Sequence, residues 1–516
     1  MAISTLPLSQ AASAAPLQAA EEKAGSLYVQ CDGMPNNMST GESAARLLGA
    51  VTLLALLAPP PESADASKRK FGAEGVAACS AILEGEKKEG NVSRRIGLIL
   101  ARAIHQIEQK SYDAAIADAG LARTEATAAG LMADPYYARS QGRAFDLIES
   151  AALYRLGRPA EARDAALRGT ASVKHSFLSL MSAPDYLDSV KAGSETEEHY
   201  LTWRTRTAAT TAAGEANRLE ELGRFADAAR LRDGLVDYDR SSTPDLVSST
   251  WLARAAVSHA LAGDKTLAAE RAAAAKANFD KRTADGKPES NAAEYVELMD
   301  LYGIVDMANT GDLKGARRLF AARSQWVAAS FGSVLEVTRR LRTGAAPDEM
   351  IGGLAKDPDQ MWKERSEARI AERVAKDKDN KTLFNLIPRL VPAGSYEMVS
   401  KNVWQAEKSK LLLKVKKEPT NTSKLETLFQ YGIDPVTALE AYTLHAALLA
   451  KTRGQQGFVI MPVFTREILA AWILTGNSGD PGLPAALFNN ADEVIADLSP
   501  IIPDPVVLKA RRAAKR

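Results

Sequence analysis

The stretch Leu156-Gly157-Arg158-Pro159-Ala160-Glu161-Ala162-Arg163-Asp164-Ala165-Ala166-Leu167 decides the fold. An Ala/Leu-rich run stops at Gly157, Pro159 opens a second run, and Ala162 follows the glycine by five residues. The residue after a helix end commonly adopts the left-handed conformation, where a Cβ clashes and glycine does not. An alanine in the next helix lets the two helices approach closely. Leu222-Gly223-Arg224-Phe225-Ala226-Asp227-Ala228 repeats the pattern, as do Gly263 before Ala268 and Gly311 before Ala316. Lys110, with Ser111-Tyr112, stands before Ala115 in the same way. Such a unit cannot bury its apolar face alone and must stack on neighbours. Gly157, Ala162, Gly223, Ala228, Gly263, Ala268, Gly311 and Ala316 are therefore read as structural residues of helix–turn–helix units.

Working outward, the helical stretches pair as Phe145–Leu156 with Pro159–Leu167 and Thr211–Leu222 with Phe225–Leu235. Thr250–Ala262 pairs with Leu267–Asn278, and Ala293–Asn309 with Leu313–Ser324. The Gly-x-(Tyr/Phe/Pro)-x-x-Ala core with Leu before the Gly resembles the tetratricopeptide-repeat (TPR) family. That resemblance implies an α-α superhelix whose concave face receives a peptide or protein. The family repeats every 34 residues; here successive turns are 47, 66, 40 and 48 residues apart. Degenerate repeats with long connections are expected, one of them near Ala171–Glu198.

The composition is 46% hydrophobic and 25% charged over 516 residues, with 6% aromatics. This suits a folded, Ala-rich, mainly α chain long enough for several domains or one long array. Sixty-five Lys and Arg against 64 Asp and Glu leave a net charge of +1, which argues against a nucleic-acid partner. Residues 1–20 lack charge, and Ala12-Ser13-Ala14 reads as a small-residue cleavage site, so a leader and a periplasmic or secreted protein are expected; a cytoplasmic location is the alternative. Cys31 and Cys79 are either one structural bridge, worth about 4 kcal/mol for a loop of 48 residues, or two buried thiols. The apolar run 47–58 is too short for a membrane span, which needs about 20 residues. It reads as a buried helix, opened by Ser39 and Glu42 in capping-box spacing.

The remaining text divides into a helical array over 26–345, a charged helical connector over 346–434, a small α+β region over 435–505 and a basic tail over 506–516. In the α+β region a helix at Val436–Thr452 closes at Arg453-Gly454 and precedes strands at 457–462 and 467–475. Ala485–Phe488 and Val494–Ile502 read as two more strands. This end also resembles the end of bacterial lipoprotein-type proteins, a likeness that carries no activity.

Chemistry-bearing motifs are sparse. No two of His105, His175, His199, His259 and His445 have i, i+4 spacing, and CxxC is absent, so neither a metal nor a cofactor is expected. Glu195-Thr196-Glu197-Glu198-His199 reads as a solvated loop, and His259 as core or groove lining. Ser67-Lys68-Arg69-Lys70 and Lys451-Thr452-Arg453-Gly454 lack the companions a serine acyl-transfer site needs, and Gly352-Gly353 lacks the ending of a phosphate loop. Lys401, Lys408, Lys410, Lys414, Lys416 and Lys417 surround Trp404, and Lys509, Arg511, Arg512, Lys515 and Arg516 form the tail; both read as solubilising surface. The sequence thus points to a non-catalytic scaffold or adaptor of the bacterial envelope. The alternatives are an envelope-associated hydrolase, with its site between the array and the C-terminal region, and a self-assembling structural protein.

Overall fold

The computed structural model describes residues 25–36, 63–86, 88–176, 187–242, 247–323, 325–376, 380–388, 393–413, 426–429, 435–464 and 469–514. The leader, the cleavage site and the 39–58 helix with its capping box lie outside these residues. The described chain is mainly helical, with a small antiparallel sheet near the C-terminus. It divides into two compact units, Met1–Glu89 and Gly90–Arg516, and this division falls inside the stretch read from sequence as one array.

In the first unit, Cys31 lies on a short helix. Helix α1 (Leu27–Asp32) starts because the Ser26 side chain accepts a hydrogen bond from the Val29 amide, and it ends at Gly33 with φ 81°. Helix α2 (Gly72–Glu84) buries Ala78, Cys79, Ile82 and Leu83. Cys31 and Cys79 form a disulfide with Cα atoms 4.9 Å apart.

The second unit begins with helices that pack on one another in chain order. They are α3 (Val92–Glu108), α4 (Tyr112–Ala128), the short α5 (Pro135–Arg139), α6 (Gln141–Arg155), α7 (Pro159–Ala171), α8 (Glu195–Thr207), α9 (Ala212–Glu221), α10 (Phe225–Ser242), α11 (Ser249–Ala262), α12 (Lys265–Ala284), α13 (Ala292–Thr310) and α14 (Leu313–Ala322). The turns joining α3 to α4, α6 to α7, α9 to α10, α11 to α12 and α13 to α14 each contain one left-handed residue. These are Lys110 (φ 66°), Gly157 (72°), Gly223 (74°), Gly263 (86°) and Gly311 (97°). A Cβ added at any of the four glycines meets nothing within 4 Å, so glycine is favoured there by backbone conformation alone. The alanines five residues on, Ala115, Ala162, Ala228, Ala268 and Ala316, are at most 2% exposed.

Two sequence expectations are corrected here. The segment from Glu195 is not a solvated loop but the first turn of α8. Ser194 caps it by accepting from the Glu197 amide, and the acidic first turn suits the positive end of the helix dipole. The connection expected over Ala171–Glu198 is correspondingly shorter. Val494–Ile502 is not a strand either: Asn490 accepts from the amides of Asp492 and Glu493 and starts a helix over Ala491–Leu498 that buries Ala491, Val494 and Leu498. Their i, i+3, i+7 spacing makes a helical face.

Beyond α14 the chain turns back. Helix α15 (Phe331–Arg342) packs on α9 and α11, and α16 (Pro358–Lys376) packs on α15 and α6. Helix α17 (Asn380–Leu383) and the 3-10 turn at Phe384–Leu386 then pack on α3 and α6 respectively. The return thus crosses the first helices of the pairs in reverse order. It approaches closely at Gly332, where a Cβ would stand 2.3 Å from the Glu221 amide nitrogen. On α16, Trp362 is buried, Ser366 Oγ donates to the Ser189 carbonyl at 2.7 Å, and Ile370 packs against the α6–α7 cluster; Arg365, Arg369, Arg373 and Lys376 line a cleft beside these contacts.

The C-terminal layer consists of α18 (Ala393–Val403), β1 (Leu412–Leu413), β2 (Glu426–Leu428), α19 (Pro435–Thr452), β3 (Gly457–Phe464), β4 (Leu469–Gly476), β5 (Asn489–Asn490), α20 (Ala491–Leu498) and α21 (Pro505–Ala514). The strand order is β1-β2-β4-β3-β5, antiparallel throughout. Strands β1 and β2 come from the stretch read as connector, and Ala485–Phe488 is turn rather than strand. On one face Ala471, Ile473 and Ile460 meet Tyr442 and Leu449 of α19. On the other, Val459 and Leu474 join Leu231, Leu235 and Tyr238 of α10. The sheet is therefore built into the helical region rather than appended to it.

Candidate functional site

A polar cleft of about 460 Å³ is gathered from the 187–188 turn, α8, α9, the 329–331 segment and α16. Its walls are held by buried charge. Glu197 is 1% exposed; it accepts from Arg163 Nη1 at 3.0 Å and from Arg218 Nε at 2.6 Å. Arg218 also donates to the Val190 carbonyl at 2.8 Å and to Glu221 at 3.2 Å. One carboxylate thus ties α7, α8 and α9 together. A buried ion pair is stable only when its remaining donors and acceptors are satisfied in this manner.

On the cleft wall, Glu215 pairs with Arg204 at 2.9 Å. Burial pushes the Glu215 carboxyl up to about 7, against the opposing pull of Arg204. Glu221 is also raised by burial, with Arg365 pulling the other way across a 2.6 Å ion pair. The Arg365 guanidinium lies 4.2 Å from the Phe331 ring centroid, a cation–π contact. Asp188 sits 3.4 Å from Arg365 and 3.7 Å from Arg369, bridging two guanidinium groups loosely.

Behind this wall Glu220 is fully enclosed. Its carboxylate accepts from Arg232 Nε at 3.0 Å, from Ser333 Oγ at 3.0 Å, and from the hydroxyls of Ser258 and Ser330. Burial alone would raise its pKa, but the Arg232 charge and these hydrogen bonds hold it below the usual glutamate value. Ser330 also caps α15 by accepting from the Ser333 amide, so the return helix is seated on α9 through a single buried carboxylate.

None of the histidines lines this cleft. His105 is beside Glu108 at 2.9 Å, His175 beside Asp497 at 3.0 Å and His259 beside Asp233 at 2.9 Å. His445 is buried against the Val403 carbonyl, and His199 is exposed on α8. Among the described residues no group of three or more His, Cys, Asp or Glu is placed to hold a metal, and no helix is long and apolar enough to cross a membrane. The four Gly/Ala turn pairs lie at helix ends outside the cleft lining. Ser67 hydrogen-bonds Asp65, and Arg453 is held by Glu426 and Glu407 below the left-handed Gly454. Gly352 abuts the Ala321 carbonyl. Lys401, Lys408 and Lys410 are exposed, whereas Trp404 is half-buried and its Nε1 donates to the Ile502 carbonyl at 2.9 Å. Lys414, Lys416, Lys417, Lys515 and Arg516 lie outside the described residues.

Sequence reasoning missed the cleft because its residues come from five separate segments. One signal was present: Arg365, Arg369, Arg373 and Lys376 recur at helical spacing within the charged run. No protein-family model, curated protein or solved structure matches this chain.

Proposed function

We propose that the chain is a non-catalytic interaction scaffold or adaptor of the bacterial envelope, built on degenerate TPR-like helix pairs. The observation that carries this reading is a pre-formed cleft in a stiff frame. Left-handed turns and enclosed alanines order the helix pairs, and buried ion pairs hold an opening lined mainly by guanidinium, carboxylate and amide groups. Such groups bind and orient a partner without requiring covalent chemistry. The return of α15–α17 across the first helices takes up much of the face that a TPR-like superhelix would offer, so recognition is concentrated at the cleft rather than spread along a groove. The test is cross-linking in native envelope extract together with sedimentation of the purified chain. Reproducible cross-linked partners at defined stoichiometry, or a defined oligomer, are expected; a chain that is monomeric and recovers no partner overturns the reading.

A hydrolase is the second reading, and one observation favours it: Glu215, with its carboxyl pushed up to about 7, has the proton affinity of a general acid or base. A hydrolytic activity against envelope peptides or esters that Glu215→Gln removes, without lowering the melting temperature, would replace the scaffold reading.

A further inference from the structure

We propose that the exposed face of α21, with the neighbouring edge of α18, docks on the surface of an anionic lipid bilayer. This goes beyond the scaffold reading and does not rest on it. Unpartnered cations, exposed apolar side chains and a fixed backbone coincide at this place.

The cations come first. A groove of about 580 Å³ has Glu397 and Lys401 of α18 on one wall and Leu508, Lys509 and Arg512 of α21 on the other. Arg512 pairs with Glu397 at 2.6 Å, and Glu397 is the only carboxylate among the described residues lining the groove. Lys401 and Lys509 are exposed, and neither makes an ion pair or hydrogen bond among the described residues. Arg511, exposed beside Tyr136, adds a further cation. Lys401, Lys509, Arg511 and Arg512 thus stand against Glu397 and Asp504, the residue that caps α21. The positive surplus here is carried by side chains that no internal pair consumes.

The second observation is apolar exposure beside that charge. Val506 is 75% exposed, Val507 43%, and Met398, three residues before Lys401, 63%. Val506, Ala510 and Ala513 follow at i, i+4 and i+7, so they share one line along α21, and all three are exposed. At 3.6 residues per turn, Lys509 and Arg512 border this line on one side and Val507 and Arg511 on the other. An apolar line with cations on both borders suits a helix lying in the lipid interface. Aliphatic groups enter the headgroup boundary while Lys and Arg stems carry their charges to the phosphates. A nucleic acid or an acidic peptide would engage the cations and leave the valines in water.

The third is fixation. Ser400 Oγ donates to the Pro503 carbonyl at 2.6 Å, and Trp404 Nε1 to the Ile502 carbonyl at 2.9 Å. The Asp504 side chain accepts from the Val506 amide at 2.7 Å and starts the helix. The start of α21 is thereby seated on α18, and the Arg512–Glu397 pair holds it further along. The face is ordered before contact, so little ordering entropy opposes docking.

The experiment is co-sedimentation of the full chain with two kinds of vesicle, phosphatidylcholine alone and equal parts phosphatidylcholine and phosphatidylglycerol. Binding to the mixed vesicles only, weakening as salt rises, is expected. Lys509→Gln should weaken it about fivefold, the ~1 kcal/mol that one cation contributes at an anionic surface. Lys401→Glu/Lys509→Glu should weaken it by roughly tenfold or more, and Val506→Ser severalfold. Circular dichroism and melting of each variant report whether the fold is kept. Equal binding to both vesicle types, or unchanged binding by a folded lysine variant, would overturn the proposal. Unchanged binding by Val506→Ser would overturn it in favour of a purely polar anion. Displacement by millimolar inorganic phosphate, or tighter binding of polyglutamate than of the vesicles, would do the same. No binding to the mixed vesicles at low salt ends the proposal, whether or not cross-linking recovers a protein partner.

Discussion

The helix pairs between Val92 and Ala322 and the cleft between α9 and α16 are both helical, yet different physics holds them in place. The pairs are joined by turns with one left-handed residue and close on alanines that are nearly or fully enclosed. Every participant is within a few residues of the next. The cleft is held by charges drawn from α7, α8, α9 and α16, with partners such as Glu221 and Arg365 144 residues apart. The first arrangement tolerates small backbone penalties at isolated points. In the second, removing a single carboxylate takes a shared counter-charge from two buried arginines.

The largest effect that would sharpen this contrast is at Glu197. Glu197→Ala leaves Arg163 and Arg218 buried without it, and a loss of about 3–5 kcal/mol of unfolding free energy is expected in denaturant titration. A loss under 1 kcal/mol would mean that the ion pairs do not hold the frame. Next is Gly332→Ala, whose Cβ collides with the Glu220–Glu221 backbone, at a cost of about 1–3 kcal/mol. Hydrogen exchange should show lost protection over 331–342 while 292–310 keeps its own; uniform loss would mean that the return and the pairs unfold as one.

Glu215 gives a pH signature. Its folded carboxyl keeps a proton up to about 7, whereas the ordinary glutamate value is 4.5. Between these two values the folded chain binds more protons than the unfolded one, so stability falls as pH rises from 4.5 to 7 and levels off above. Urea unfolding at pH 5 and pH 7.5 should show this fall in the wild type and a flatter profile in Glu215→Gln; identical profiles would remove the buried-carboxyl assignment.

The smallest effects belong to the turns, and they have opposite signs. Gly157→Ala meets no atom within 4 Å, so only the left-handed backbone penalty remains, about 1 kcal/mol. Lys110 already carries that penalty at φ 66°, and Lys110→Gly is expected to raise stability by up to about 1 kcal/mol, less the added freedom of glycine when unfolded. Thermal melts of the two variants moving in the same direction would break the account of these turns.

How much was readable in advance follows the same division. Gly157 with Ala162 and Gly223 with Ala228 could be read because both the turn and the helix contact are encoded within six residues. The helix at Val436–Thr452 and the two long strands were legible for the same reason. Cys31 as a helical residue was not, because Ser26 and Gly33 bracket only six residues, too short a window for periodicity to register. Val494–Ile502 was misread because its apolar run fits strand and helix alike, and Asn490 as a cap, followed by two acidic residues, tips it to helix. In the cleft, Arg365 in a run of alternating charge has the appearance of a solvated face; nothing local distinguishes it from Lys363, which is exposed.

The sequence by itself determined where helices start, stop and turn, since those choices rest on left-handed glycines, caps and alanine contacts between near neighbours. Only the tertiary structure decided that the segment from Phe331 runs back over the first helices, that Glu197, Glu215, Glu220 and Glu221 are buried with arginines, and that Arg365 to Lys376 lines a cleft. Burial and charge pairing across more than a hundred residues depend on which surfaces meet, and local composition carries no record of that.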